Sequence, residues 1–240
     1  MILKRRIGRQ TQIFKLPNFQ IDMLEAYHLI KSYGGLTVLR GIDISIKKGE
    51  VVSIVGASGA GKSTLLHILG TLDKPDGGEV KLMGLDLVKL KGDELARFRN
   101  KHLGFIFQFH NLLPEFTLFE NICLPGYLGQ EDKKTIEARA TELMGLLKIH
   151  GRRDHKPSEL SGGEQQRAAV ARALINEPSI VFADEPSGNL DSLHAEELHK
   201  LFFDLRERMG QTFVIVTHNT SLADMADRKL VMKDGLIIQS

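Results

Sequence analysis

The chain has 240 residues, 42% of them hydrophobic and 26% charged, and this composition suits one α/β domain with room for a nested subdomain. The formal net charge is +2, but it is unevenly distributed. Residues 1–20 contain five basic and no acidic side chains, so the rest of the chain carries 27 basic and 30 acidic residues. This acidic balance excludes a basic nucleic-acid-binding domain. The single cysteine, Cys123, excludes an internal disulfide. No apolar run approaches the ~18 residues that cross a bilayer, so any membrane-spanning segments must belong to separate subunits.

Residues 1–22 are set apart from the rest of the chain by their charge. Their basic side chains come without an apolar stretch, so they do not form a secretory signal. Two interpretations stay open: the start is mis-called and the native protein begins at Met23, or the segment is a basic arm that contacts anionic lipid. In both cases the folded domain is predicted to span residues 23–240.

Apolar periodicity predicts the order of the elements. Strands are predicted over Met23–Tyr33, Val38–Ile46, Val51–Val55, Glu79–Met83, His102–Phe109, Ile180–Ala183, Phe213–Val216, Lys229–Met232 and Leu236–Gln239. Helices are predicted over Lys62–Gly70, Asp93–Lys101, Lys133–Leu147, Gly162–Leu174, His194–Met209 and Ser221–Ala226. Helical periodicity dominates from about residue 111 to 175. The predicted fold class is therefore α/β, with a core sheet, an antiparallel β portion near the N-terminus and a nested helical subdomain.

A phosphate-binding loop follows the strand Val51–Val55. The residues that fit the pattern G-x-x-x-x-G-K-S/T are Gly56, Ala57, Ser58, Gly59, Ala60, Gly61, Lys62, Ser63 and Thr64. Glycines let backbone N–H groups surround phosphates, and the N-terminus of the next helix adds positive potential. Lys62 would reach the β- and γ-phosphates of a nucleotide, and Ser63 would bind Mg²⁺. A plain glycine-rich turn is the alternative, and the strand before the loop and the helix after it both argue against that alternative.

Polar side chains also follow three other predicted core strands. Asp184 is a candidate Mg²⁺ ligand, and Glu185 is a candidate general base for the attacking water. A solvated acidic turn is the alternative, but the buried strand and the phosphate loop favour a functional pair. Gln108 could bind Mg²⁺ and the water, and His218 could donate a hydrogen bond to the γ-phosphate. Alone, either of these two residues would be a weak signal.

Ser161 is predicted to cap the helix Gly162–Leu174. Glu164 stands at the capping-box spacing, and Gly162 and Gly163 leave the backbone bare. A capped helix is the simple interpretation, but a free helix N-terminus also binds anions. Since this one lies on the helical insertion, far in sequence from the phosphate loop, a second copy turned head to tail could offer it to the γ-phosphate of the first.

Together these motifs resemble those of the ATP-binding-cassette (ABC) ATPases. The motifs occur in the same order, and the resemblance extends over about residues 24–240. In that family Lys62 and Ser63 match the Walker A motif, Asp184 and Glu185 match Walker B, and Gln108 matches the Q-loop. Residues 160–164 match the signature, 187–191 match the D-loop, and His218 matches the switch histidine.

The resemblance implies roles that the residues alone do not. It implies ATP and Mg²⁺ as cofactors, ATP hydrolysis, and adenine stacked on Tyr33. It implies a second copy of the chain as partner, with separate transmembrane subunits and no nucleic acid. The residues that the second copy would contribute to the nucleotide are Ser161, Gly162, Gly163, Glu164 and Asp191.

Within the family, the stretches 61–67, 107–117 and 183–191 resemble the LolD-type lipoprotein-releasing subunits. This resemblance implies an ATPase subunit on the cytoplasmic face of the bacterial inner membrane that releases lipoproteins to a periplasmic carrier. An ATPase of a macrolide or peptide exporter, or of the cell-division ABC complex, is the alternative within the family. A non-transport ABC-type nucleotide-sensing module is the alternative outside transport, and the chain lacks the long coiled-coil insertion that would favour it.

The remaining candidates are predicted to be structural or to bind partners. His194 and His199 are expected on the surface, and Cys123 is expected to be a packed thiol. Phe116 and Phe119 are expected on an apolar surface that receives a short cytoplasmic helix of a membrane subunit, and burial in the core is the alternative.

Overall fold

The computed structural model describes residues 3–7, 10–14 and 22–239. Its strands are β1 (Leu3–Ile7), β2 (Gln10–Phe14), β3 (Asp22–Tyr33), β4 (Leu36–Lys47), β5 (Val51–Val55), β6 (Gly77–Leu82), β7 (Leu85–Asp86), β8 (Leu103–Phe107), β9 (Ile180–Asp184), β10 (Thr212–Val216), β11 (Arg228–Lys233) and β12 (Leu236–Gln239). Its α-helices are α1 (Lys62–Leu69), α2 (Gly92–His102), α3 (Leu118–Leu128), α4 (Lys133–Leu146), α5 (Gly162–Leu174), α6 (Ser192–Met209) and α7 (Thr220–Met225).

A six-stranded sheet in the order β12-β11-β5-β10-β9-β8 forms the core. All of its neighbouring strands pair in parallel except β11 and β12, which form the antiparallel hairpin at one edge. Because parallel strands point the same way, the carboxyl ends of β5, β10, β9 and β8 lie side by side at one edge of the sheet. Each of these four ends leads into a stretch that the sequence marks as functional.

Alternate residues of the core strands enter two separate apolar layers, as the period of two in a strand requires. Val52 and Ile54 of β5 join a cluster with α1 and the antiparallel strands, whereas Val51 faces a cluster with α3 to α6. In β10, Val214 lies in the first layer and Ile215 in the second. The sheet is thus covered on both faces, which explains why its strands read as continuous apolar runs.

The predicted antiparallel β portion is present as a second sheet in the order β4-β3-β6-β7. The helices α3, α4 and α5 lie between β8 and β9, so the helical subdomain is nested in the core sheet. The predicted fold class is confirmed. Among the described residues, every helix is too short or too polar to span a bilayer.

Several details differ from the sequence-based expectations. Helix α3 and the short strand β7 have no predicted counterpart. Strand β8 ends at Phe107, so Gln108 is the first residue after the strand rather than its last. In addition, β1 and β2 pair antiparallel within the segment interpreted as a tail, which apolar patterning did not predict. The rest of that tail lies outside the described residues, and both interpretations of its origin stay predictions.

Candidate active site

The carboxyl ends of four adjacent parallel strands bring the predicted residues to one edge of the core sheet. The phosphate loop follows β5, His218 follows β10 by two positions, Asp184 ends β9, and Gln108 follows β8. Neighbouring strands are about 4.8 Å apart, so the four strand ends bring these residues within about 14 Å of one another along the sheet edge. Clefts at such strand ends are where open α/β sheets bind ligands.

The phosphate loop needs glycine at its first and sixth positions. Gly56 has φ +156°, and a Cβ at this residue would lie 2.2 Å from the carbonyl oxygen of Met232. Gly61, with φ +99°, caps α1 and would push a Cβ to 3.0 Å from Leu39 Cδ2 and 3.1 Å from Val38 O. The pattern of the motif is therefore enforced by the neighbouring strands β4 and β11 as well as by the phosphate that it is expected to bind.

Lys62 is folded back onto the loop that carries it. Its Nζ donates to the carbonyl oxygens of Gly56 at 2.9 Å and Ala57 at 3.0 Å. A cation held by carbonyls at the mouth of a ring of backbone N–H groups can turn toward a phosphate with little movement. The predicted contact of Lys62 with the β- and γ-phosphates stays a prediction.

Ser63 and Asp184 meet across the site. The Ser63 hydroxyl donates to Asp184 Oδ1 at 3.1 Å, and His67 Nε2 of α1 lies 3.8 Å from Asp184 Oδ2. Burial raises the pKa of the Asp184 carboxyl, and the Ser63 hydrogen bond and the nearby His67 and Lys62 offset only part of this effect. A hydroxyl beside a desolvated carboxylate is an oxygen donor set that suits Mg²⁺.

No group of three or more His, Cys, Asp or Glu side chains within residues 22–239 is arranged to hold a metal ion by itself. Mg²⁺ is usually held by one or two protein ligands together with substrate phosphates. The sparse donor set at Ser63 and Asp184 therefore fits an ion that arrives with its nucleotide.

Glu185 and His218 form the second contact of the site. Glu185 Oε2 accepts from the backbone N–H of His218 at 3.2 Å and lies 2.8 Å from His218 Nδ1. The backbone of Glu185 is left-handed, with φ +46°, and its N–H donates to Val216 O at 2.9 Å. Such a conformation costs about 1 kcal/mol or more in a non-glycine residue, and it turns the carboxylate of Glu185 toward His218.

Gln108 is tied to the D-loop. Its Nε2 donates to Asn189 Oδ1 at 3.1 Å, and Asn189 Nδ2 donates back to the carbonyl oxygen of Gln108 at 3.0 Å. The glutamine also packs on Gly188, where a Cβ would lie 2.9 Å from Gln108 Nε2. The structure therefore places Gln108 at the edge of the site in contact with the D-loop, and its predicted role as an Mg²⁺ ligand stays a prediction.

Tyr33 presents a half-exposed ring on the antiparallel sheet. Its hydroxyl donates to Asp73, and this hydrogen bond raises the pKa of the hydroxyl. Lys31 Nζ lies 5.0 Å from the ring centroid and donates to Asp73 Oδ1 at 2.9 Å. The ring is thus fixed by its hydroxyl end, and 47% of the residue is open for a base to stack on.

The predicted capping box at the start of α5 is complete. Ser161 Oγ accepts from Glu164 N at 3.3 Å and donates to Glu164 Oε2 at 2.9 Å, and the same carboxylate accepts from Ser161 N at 2.8 Å. A hydrogen bond from Arg152 Nε, 2.7 Å long, lowers the pKa of Glu164 to about 2. Gly162 and Gly163 pack against Leu190 and His194 of the D-loop region.

The D-loop is held by two histidines of α6, and one of them corrects a prediction. His194 is partly exposed, and its Nδ1 lies 2.7 Å from Asp191 Oδ2, while Asp191 Oδ1 caps α6 by accepting from His194 N at 3.0 Å. His199 was expected on the surface, but it is 3% exposed, and its Nε2 lies 3.1 Å from Ser187 Oγ. The prediction for His199 is wrong because residues 195, 199, 202 and 205 share the buried face of α6.

Phe119 is a second correction. It is a buried residue at the start of α3, where the guanidinium of Arg153 lies 3.4 Å from its ring centroid, whereas Phe116 is 39% exposed. Only Phe116 of this pair can belong to an apolar docking surface. Cys123 is fully buried, as expected.

Three side chains of the site were given no role by the sequence. His67, Asn189 and His199 contact Asp184, Gln108 and Ser187, respectively. His67 and Asn189 stand inside stretches that the sequence already marks, so proximity to the motifs could have indicated them. His199 lies on a helix outside the motifs, and only the packing of α6 reveals it.

Comparison with known proteins agrees with this geometry. The family model described as ABC transporter matches residues 39–188. The lipoprotein-releasing system ATP-binding protein LolD of Cytophaga hutchinsonii is 61% identical over 217 residues, which cover 90% of this chain and 99% of that protein. The LolD of Bacteroides fragilis is 56% identical over 216 residues, which cover 90% of this chain and 100% of that protein.

A solved structure has the same fold. The dimeric post-hydrolysis state of the ATP-binding cassette MJ0796, bound to ADP and Pi, superposes with a TM-score of 0.83 at 39% identity, covering 90% of this chain and 97% of that one. Family model, relatives and fold all point the same way. This chain belongs to the ABC transporter family of ATP-binding proteins and is an ABC-type ATPase.

Proposed function

We propose that this chain is the ATPase subunit of an inner-membrane complex that extracts lipoproteins and passes them to a periplasmic carrier. The observation that carries the proposal is the 61% identity to a lipoprotein-releasing ATP-binding protein along 90% of the chain. Identity at that level extends over nearly the whole length of both chains, so it is not confined to the nucleotide-binding motifs.

Two copies of the chain enclose each ATP in this proposal. The similar MJ0796 cassette is dimeric in two solved structures, one of them with ADP and Pi. The start of α5 supports the same arrangement, because Ser161 and Gly162 are exposed at the N-terminus of this helix and a helix N-terminus attracts anions. Lys62 of one copy and Ser161 with Gly163 of the other clamp the γ-phosphate. ATP thereby favours the closed pair, since only a γ-phosphate bridges both surfaces.

Hydrolysis rests on Glu185 and His218. Glu185 accepts a proton from the attacking water, and His218 keeps the carboxylate oriented and donates to the γ-phosphate. Ser63 and Asp184 would hold Mg²⁺, which would neutralise charge on the phosphate oxygens. Gln108 is the third residue that would hold the ion, and its hydrogen bond to Asn189 links it to the D-loop.

The membrane subunits dock beside the helical subdomain. A groove of about 340 Å³ lies between α2, β8 and the ends of α3 and α5, and apolar side chains of Phe105, Phe107 and Pro125 line it. Phe109 and Phe116 are exposed nearby in sequence, on the loop between β8 and α3. Buried Asn121 fixes that loop, because its side chain bonds the backbone of Leu113, Phe116 and Thr117.

Depletion of the chain in its native host tests the proposed cargo. We expect outer-membrane lipoproteins to accumulate in the inner membrane within a few generations, as measured by membrane fractionation and immunoblotting. Normal lipoprotein sorting, with impaired export of a drug or impaired division instead, would replace lipoprotein release by the corresponding alternative.

Substitution at Phe116 tests the docking surface. Phe116→Asp should leave ATP binding by the isolated subunit intact and abolish co-purification with the membrane subunits, because Phe116 is exposed. Phe119→Asp is the contrasting variant: it buries a charge in α3 and should destabilise the fold by several kcal/mol. Unchanged co-purification of the Phe116→Asp variant would exclude that residue from the docking surface.

A further inference from the structure

The groove that is proposed to receive the membrane subunits has an unbalanced charge. It is lined by two arginines, Arg99 and Arg172, and by two asparagines among apolar side chains, and none of its lining residues is acidic. Every Asp and Glu of the chain lies between Asp22 and Asp234, within the described residues. The undescribed residues therefore contain no acidic side chain that could balance the positive charge of the groove.

Arg172 is the more buried of the two cations. It stands in the last turn of α5, and its guanidinium donates to the backbone oxygens of Asn111 at 2.6 Å and His110 at 2.8 Å. Neither partner is charged, and desolvation lowers the pKa of the guanidinium. Several arginines elsewhere in the chain lie against carboxylates, for example Arg152 with Glu164 at 2.7 Å and Arg167 with Glu197 at 2.9 Å.

Arg99 on α2 repeats this pattern on the other wall. Its NH2 donates to Thr71 O at 2.6 Å, and its Nε donates to Thr71 Oγ1 at 3.2 Å. Among the described residues no carboxylate forms an ion pair with it, and it retains N–H donors that the Thr71 contacts do not use. Backbone oxygens on both walls hold the two guanidiniums in fixed positions beside an apolar groove.

We infer that the segment that docks in this groove is a short helix of a membrane subunit that carries an Asp or Glu side chain in contact with Arg99. Apolar residues of that helix fill the space between Phe105, Phe107 and Pro125. Its carboxylate supplies the missing counter-charge, and a preorganised guanidinium bonds a carboxylate strongly when both lose water. The inference rests on the proposed function, which assigns the groove to a membrane partner.

Such a contact also joins the partner to the site. Arg172 holds the carbonyls of residues 110 and 111, two and three positions after Gln108. The docked helix therefore lies against the side chain that positions the segment beginning with the Q-loop glutamine. The position of the docked helix and the contact between Gln108 and Asn189 are thereby linked through one side chain.

A zero-length cross-link tests the inference. The Arg99→Lys variant is co-expressed with the lipoprotein-releasing membrane subunits of its native host, purified in detergent and treated with a water-soluble carbodiimide. The carbodiimide activates a carboxylate, the Lys amine attacks it, and an amide forms while the reagent leaves as its urea. We expect an amide between residue 99 and an Asp or Glu in a cytoplasmic segment of a membrane subunit, identified by mass spectrometry.

Arg97→Lys is the matched control, since residue 97 is exposed on the same helix and does not line the groove. We expect the cross-link at residue 99 to exceed that at residue 97 by about tenfold or more. Arg99→Glu should lower co-purification about tenfold, and changing the identified acid to Lys should restore it.

Each other outcome overturns the inference. Formation of the complex without an amide at residue 99, or an amide to an acid of this chain or of a second copy, would leave the proposed function intact and remove the acidic contact. Failure of the wild-type chain to bind the membrane subunits would instead remove the proposed function, and the inference with it.

Discussion

The carboxyl edge of the core sheet and the start of α5 both carry predicted phosphate contacts, but they differ in how complete they are. At the sheet edge, Ser63 bonds Asp184 and Glu185 lies against His218, so residues far apart in sequence already contact one another in a single chain. At the start of α5, Ser161 and Glu164 bond only each other and nearby Arg152. One region is a nearly assembled half-site, and the other is a capped helix end.

The difference shows how an ATP-dependent dimer can be built from an ordinary helix cap. Parallel strands converge at their carboxyl ends by topology, and this convergence brings a nucleophile-activating pair together without a partner. A helix N-terminus offers only N–H groups and a dipole, which become a catalytic contact when a second molecule brings the phosphate. Changes in the two regions should therefore have separable effects.

Loss of the carboxylate at the sheet edge should have the largest effect. Glu185→Gln keeps the size and most hydrogen bonds but removes the proton acceptor, so ATP turnover should fall by roughly 10²- to 10⁴-fold. ATP binding should persist, and dimers should accumulate with ATP in gel filtration. Glu196→Gln, on an exposed ion pair of α6, serves as the control with normal turnover. An unchanged ATP hydrolysis rate in the Glu185→Gln variant would show that another residue acts as the general base.

Removal of the hydroxyl from a helix-capping residue distinguishes a cap that only stabilises its helix from a cap that also contacts the nucleotide. Ser161→Ala and Thr117→Ala each break a complete capping box, at the starts of α5 and α3, so each should cost about 1 kcal/mol of unfolding free energy. Only Ser161→Ala should also lower the ATPase rate of the isolated subunit at saturating concentration, because only α5 is presented to the second copy. Equal rates for the two variants would reduce Ser161 to a cap.

The buried histidine between the two regions should give the smallest effect, visible as a pH dependence of stability. Burial lowers the pKa of His199, so below the ordinary value of about 6.5 the unfolded chain takes up a proton that the native chain excludes. The stability that this neutral histidine contributes is present above that value and is lost as the pH falls through it. Between about pH 7.5 and 5.5, the free energy of unfolding of the His199→Gln variant should therefore fall by about 1 kcal/mol less than that of the wild type.

Chemical denaturation at the two pH values measures this difference. The other histidines with lowered pKa, His102 and His110, are present in both proteins and cancel in the comparison. Identical pH slopes for the two proteins would mean that His199 is not kept neutral by the fold.

Local patterns were sufficient for most of the fold and for the loop motif. Continuous apolar runs predicted β5, β9 and β10 because both faces of the sheet are covered, and Gly56 and Gly61 were recognisable because the loop backbone excludes other residues. The capping box of Ser161 and Glu164 was also predictable, since its two partners are three residues apart.

Only tertiary packing decided the contacts between distant segments. The sequence marked Gln108 and the D-loop separately, but their pairing through Asn189 depends on β8 and β9 being neighbours in the sheet. The burial of His199 and Phe119 depends on which face of an amphipathic helix meets the core, and a partly polar helix does not settle that alone. The sequence thus determined which residues could do chemistry, and the order of strands in the sheet determined which of them meet, because contacts across a sheet are set by topology rather than by spacing along the chain.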